Sequence, residues 1–189
     1  RYVAHRKGRD RLILGHRVAP TVEECLNIGC DVAAWAKGGC ADFLAPMEFF
    51  HHDLDVRPEE FVKATEGTGC LVYPGFGQTK YSYSPRYPSP MRSLDEFRAL
   101  AHNIYAWGGT GASVFNMYLW KPEEHEFRSQ AIAILSDPEL ALSGPRHYLY
   151  VPLGGGVGPT GTSHDQVLTF GADSVGRRQA FAFRMADGR

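Results

Sequence analysis

The stretch Gly69-Cys70-Leu71-Val72-Tyr73-Pro74-Gly75-Phe76-Gly77 is a short apolar and aromatic run that begins and ends in glycine. Such a run between turn formers reads as a buried strand, and the loop after it is rich in Tyr, Ser and Pro instead of showing a second strand's alternation. Three further runs match it: Arg11-Leu12-Ile13-Leu14-Gly15-His16-Arg17-Val18, Ala41-Asp42-Phe43-Leu44-Ala45-Pro46, and Gly111-Ala112-Ser113-Val114-Phe115-Asn116. A helical pattern lies between each pair, so the expected order is a strand and a helix, four times over.

The helical segments carry start and stop signals. Thr21-Val22-Glu23-Glu24 reads as a capping box, Gly29 interrupts that helix, and Asp31 restarts it until Gly38-Gly39. Pro58 with Glu59 and Glu60 opens a helix that ends near Gly67-Thr68-Gly69. Ser93-Leu94-Asp95-Glu96 is a second capping box, after which Phe97, Leu100, Ala101, Ile104 and Tyr105 recur at helical spacing up to Gly108-Gly109. A further helix is expected from about Glu123 to Leu135, with Asp137-Pro138-Glu139-Leu140 turning the chain. From His147 onward, short apolar runs alternate with Gly and Pro and no helical pattern separates them, which suits an antiparallel β-rich segment.

Composition bounds the function. The 189 residues suffice for one domain with a sizeable core, or one domain and part of another. Twenty Lys and Arg against 21 Asp and Glu give no electrostatic footprint for nucleic acid or an anionic membrane, so a small neutral substrate fits better. No run reaches the roughly 18 apolar residues of a membrane span, and the opening Arg1-Tyr2-Val3-Ala4-His5 lacks both a signal peptide's apolar stretch and an initiating Met, as a fragment would. Cys25, Cys30, Cys40 and Cys70 show no C-x-x-C spacing and read as small apolar residues.

Strand starts near positions 12, 42, 70 and 111 are spaced like successive βαβ steps, and no G-x-G-x-x-G follows any strand. Gly29-Cys30-Asp31-Val32 with Trp35, Gly39-Cys40-Ala41-Asp42, Ala45-Pro46, Val72-Tyr73-Pro74-Gly75 and Phe115-Asn116-Met117-Tyr118 together resemble the second half of the glycoside-hydrolase-like (β/α)₈ barrels of bacterial carbohydrate-processing proteins. The resemblance covers about residues 10–140. It implies an α/β fold in which residues 1–143 form four consecutive β/α units, half of a TIM barrel, and residues 144–189 begin an accessory β-sandwich-like domain. It also implies a carbohydrate substrate, a partner in the missing N-terminal half of the barrel, no cofactor, and a secreted or periplasmic location.

In such barrels the working residues lie at the C-terminal ends of the strands. That rule selects Glu48, two residues past Pro46, as the catalytic carboxylate. It selects Arg17, His51, Asp53, Tyr73, Gln78, Tyr81, Asn116, Tyr118 and Trp120 as substrate-binding residues. Tyr73, Tyr81, Tyr118 and Trp120 would offer flat platforms for sugar rings, and Asn116 and Gln78 hydrogen bonds to hydroxyls. The adjacent His51 and His52 point apart and lack a third ligand at a defined spacing, so no metal is expected. Glycosidic cleavage needs two carboxyl groups, and only Glu48 is well placed. A non-catalytic carbohydrate-binding or structural protein is therefore the rival reading, and an aldolase-like barrel is disfavoured because Lys80 lies well into a loop.

Overall fold

The structure, a computed structural model, describes residues 12–47, 57–77, 91–115, 124–149, 176, 178 and 184–187. Its strands are β1 (Gly15–Val18), β2 (Phe43–Pro46), β3 (Leu71–Val72), β4 (Gly75–Gly77) and β5 (Ser113–Phe115). All their pairings are parallel. One sheet has the order β1-β2-β3 and the other consists of β4 and β5.

These sheets correct the expected architecture. Among the described residues the chain forms two small sheets of three and two strands, not the four β/α units of half a TIM barrel, and no antiparallel pairing. The physical cause sits in the opening stretch, at Pro74. Proline has no N–H to give a ladder, so the single expected strand breaks into β3 and β4 with no helix between them. Before the break, Tyr73 N donates to Leu44 O of β2 at 2.8 Å; beyond it, Ser113 N donates to Pro74 O at 2.9 Å and the chain pairs with β5 instead. The missing barrel half implied by the resemblance loses its geometric ground with this break.

Side-chain alternation decides which face the helices cover. Val18, Leu44 and Val72 point into a core formed with Cys25, Val32, Ala36 and Phe61 of α1 (Val22–Asn27), α2 (Val32–Lys37) and α3 (Pro58–Ala64). Phe76 points into a second core, packed by Phe97, Leu100, Ala101 and Ile104 of α4 (Leu94–Ala106) and by Ala131, Ile134 and Leu135 of α5 (His125–Ser136). The stretch at Asp137-Pro138, expected to be a turn, is a short helix, α6 (Pro138–Leu142), because Asp137 accepts from Glu139 N at 2.8 Å and Pro138 fits a first helical turn.

Local signals explain the remaining helix ends. Thr21 accepts from Glu24 N at 3.2 Å and Asp31 from Ala34 N at 2.9 Å. At α4 the capping box is complete, with Ser93 N donating to Glu96 Oε2 at 2.7 Å and Glu96 N to Ser93 Oγ at 3.3 Å. Gly29 and Gly108, at φ +82° and +86°, end α1 and α4 in the left-handed conformation that glycine tolerates best.

All four cysteines are free. Cys25 and Cys70 are buried, and burial pushes the Cys25 thiol up to about 11. Among the described residues no helix is long and apolar enough to cross a membrane. Most of the expected β-rich tail lies outside the described residues. His147, Tyr148 and Leu149, expected to start a strand, instead run as coil along α4, where His147 N donates to Asp95 O at 3.0 Å and the Tyr148 hydroxyl lies 2.8 Å from His102 Nδ1.

Candidate functional site

Where one face of each strand is buried under helices, the opposite face carries Gly15, Arg17, Phe43, Ala45, Leu71, Ser113 and Phe115, together with Tyr73 just beyond β3. Register brings several of these side by side: Gly15 beside Phe43, Phe43 beside Leu71, and Arg17 beside Ala45. A cleft of about 670 Å³ opens on this face, lined by Ile13, Asp42, Phe43, Ala45, Leu71, Tyr73 and Ser113 among others. Phe43 and Tyr73 supply its aromatic part. The Phe43 and Tyr73 rings meet edge to face with centroids 5.8 Å apart, a geometry that the ring quadrupoles favour.

Glycines shape that face by leaving room for neighbouring side chains. A Cβ on Gly15 would lie 1.9 Å from Phe43 Cζ, so the Phe43 ring rests directly on the β1 backbone. A Cβ on Gly75 would meet Met47 Sδ at 2.8 Å, and Met47 fills that space, almost fully buried. Gly111 similarly receives the edge of Tyr73. Asp42, the carboxylate at the cleft, has a structural task, since its Oδ2 accepts from Leu14 N at 2.8 Å and fixes the entry to β1.

At the C-terminal ends of the strands the chemistry changes from apolar to cationic. The Arg17 guanidinium carbon stands 4.3 Å from the centroid of Phe115, the last residue of β5, so the contact reaches from one sheet to the other. Such a cation–π pair contributes about 0.5–1 kcal/mol at an exposed site. Partial loss of water there lowers the Arg17 pKa, although the side chain keeps much of its exposure. Close by in the same sheet, Arg92 Nε donates to the carbonyl of Gly77, the last residue of β4, at 2.9 Å.

Arg92 is only 1% exposed, and its Nη1 and Nη2 have no hydrogen-bond partner. Burying such donors unused costs about 1–3 kcal/mol each. Burial pushes its pKa down to about 10, against the opposing pull of Glu96, so the group stays charged at neutral pH. No family model matches this chain, and no curated protein matches it. Among the described residues no group of three or more His, Cys, Asp and Glu is placed to hold a metal ion.

Of the residues selected from sequence, Arg17 and Tyr73 are described, and they share the face that no described helix covers, without meeting. Tyr73 lines the cleft beside Phe43, whereas Arg17 turns to Phe115 at the strand ends. Glu48, His51, Asp53, Gln78, Tyr81, Asn116, Tyr118 and Trp120 lie outside the described residues. Sequence reasoning missed Phe43, Ser113, Phe115 and Arg92. Strand alternation from Ala45 would have put Phe43 on the same face, and Ser113 and Phe115 alternate with the core residue Val114 in the same way. Arg92 had no sequence signal, since it meets Gly77 across 15 positions.

Proposed function

We propose that this chain binds carbohydrate along the face of its sheets that no described helix covers, and that Glu48, two residues beyond β2, is the group through which a glycosidic bond would be cleaved. The observation that carries the reading is the Phe43 and Tyr73 pair walling a cleft of about 670 Å³ with Ser113 at its edge. A sugar ring has one apolar face and a rim of hydroxyls, so it suits aromatic walls with a few polar groups beside them. Binding is better supported than hydrolysis. Cleavage needs two carboxyl groups about 5–10 Å apart, and the cleft's own carboxylate, Asp42, is committed to Leu14 N.

The test is calorimetric titration of the chain with neutral and acidic oligosaccharides, followed by turnover assays on whichever ones bind. Tyr73→Ala should weaken sugar binding at least tenfold, and Glu48→Gln should keep binding while lowering any turnover by about 10² to 10⁴, the usual contribution of a general acid or base. Binding with no turnover in either protein assigns the chain to the non-catalytic class.

A second reading has its own observation. Ile13, Leu71 and Phe115 on this face are 69%, 42% and 37% exposed, and clustered apolar exposure also suits protein contact. Under that reading a second copy of the chain covers the face. Sedimentation would then show a dimer that Leu71→Lys dissociates, with no sugar response.

A further inference from the structure

We infer that Cys25 and Cys30 close a reversible disulfide across the turn that ends α1, formed by exchange with a small-molecule disulfide. The inference is independent of the carbohydrate reading. The chain leaves α1 through two nested hydrogen bonds: Cys30 N donates to Cys25 O at 2.7 Å, and inside it Gly29 N donates to Leu26 O at 2.9 Å, with Gly29 at φ +82°. In this kind of helix end the side chains of the two outer residues commonly contact each other. With standard bond lengths, the 2.7 Å hydrogen bond holds the two Cα atoms no more than about 6.6 Å apart. A disulfide spans about 4.4–6.8 Å between Cα atoms, so the turn brings the two cysteines within its range. The end of α2 is built the same way, with Cys40 N donating to Trp35 O at 2.8 Å and Gly39 N to Ala36 O at 3.1 Å. There the outer pair is Trp35 and Cys40, whereas at α1 both outer residues are thiols.

Exposure sets the order of the steps. Cys30 is half-buried against the first core and Cys25 lies fully inside it, so the oxidant meets Cys30. The Cys30 thiolate attacks one sulfur of the small disulfide, forming a mixed disulfide and releasing the other half as a thiolate. Cys25 then gives its proton to solvent and attacks the Cys30 sulfur, which expels the second thiolate. Two protein thiols are thereby oxidised by two electrons, and one small disulfide is reduced to two thiols. For the second step the Cys25 thiol turns from Ala19 O, to which it donates weakly at 3.6 Å. That step is slow at neutral pH, because burial first of all, with Cys30 adding to it, pushes the Cys25 thiol up to about 11 and leaves little thiolate. Cys25 itself does not meet the reagent, and brief labelling of the folded chain leaves it reduced.

Equilibration of the full chain with oxidised and reduced glutathione at about pH 8, followed by alkylation of free thiols, tests this. Both cysteines fall in the tryptic peptide of residues 18–37. The expected product is that peptide unalkylated and lighter by two hydrogens, and alkylated twice when dithiothreitol is added first. The equilibrium constant for closing the pair should be at least tenfold larger in the folded chain than in urea, because the turn already holds the two residues together. Cys25→Ser should leave Cys30 as the glutathione mixed disulfide, and Cys30→Ser should leave Cys25 reduced while the chain is folded. Cys30→Ser alters a half-buried side chain, so it and the unaltered chain decide the matter even where Cys25→Ser fails to fold. A closing constant in the folded chain no larger than in urea overturns the inference. So does an unaltered chain that keeps glutathione on Cys30 with Cys25 reduced, or one that pairs Cys25 with Cys40 or Cys70 instead.

Discussion

Gly15→Ala probes how the cleft-bearing face is built. The added Cβ would lie 1.9 Å from Phe43 Cζ and 2.3 Å from Cε1, closer than two carbons can come, so the Phe43 ring must leave its rotamer or β1 must shift. Overpacking of this kind costs about 1–3 kcal/mol. The ring lies on an open face and can swing, so a value near 1–2 kcal/mol is expected by urea denaturation. The refuting comparison is a double-mutant cycle. In a Phe43→Ala background the clash partner is gone, and Gly15→Ala should become neutral or stabilising by about 0.4–1 kcal/mol, as Gly→Ala is where the backbone tolerates alanine. If Gly15→Ala costs the same in both backgrounds, the ring does not rest on Gly15 and the cleft wall is misplaced.

Three further expectations concern other parts of the chain. Ser93→Ala removes one arm of the α4 capping box and should cost about 1 kcal/mol in chemical denaturation. Cys40, which is exposed, should react with an aromatic disulfide reagent in the native protein, while Cys25, buried with its thiol pushed up to about 11, should react only on unfolding. Acid should loosen residues 184–187 from α4, where Arg146 pairs with Asp187 at 2.9 Å and His102 lies 3.4 Å from it. The Asp187 pKa is lowered chiefly by its bonds to Arg146, and the His102 pKa chiefly by burial. Both groups therefore bind fewer protons folded than unfolded. Their stabilisation is complete above the ordinary histidine range and falls as pH drops through it and then through the carboxylate range. The protection of the Ala186 amide relative to its intrinsic exchange rate, with its N–H donating to Asn103 Oδ1 at 2.8 Å, reports this directly; a protection factor that is the same at pH 7 and pH 4 would refute it.

The helix punctuation was legible because it is local. Thr21, Asp31, Ser93, Gly29 and Gly108 act within a few residues of themselves, and the structure uses each as its chemistry dictates. The architecture was less legible because it turned on one missing donor. Pro74 stands in an otherwise uniform apolar run, and only the positions of β2 and β5 show that the ladder changes partner there. The site was partly legible. Tyr73 and Arg17 stand at strand ends where a positional rule finds them, but the aromatic partner of Tyr73 comes from Phe43 at the start of its strand. Arg92 was hidden because a strand-end rule looks only at residues that directly follow a strand, whereas Arg92 returns to Gly77 from the far side of a long connection.

The central claim is that sugar binds against the paired Phe43 and Tyr73 rings in the cleft on the face that no described helix covers. A two-dimensional NMR titration of the chain with oligosaccharide tests it most directly, because each backbone amide reports its own surroundings. The account predicts saturable shifts at Phe43, Leu71, Tyr73 and Ser113, with Cys25, Val32 and Leu100 in the two cores unmoved. Saturable shifts confined to the helical surfaces, with Phe43 and Tyr73 silent, would contradict it.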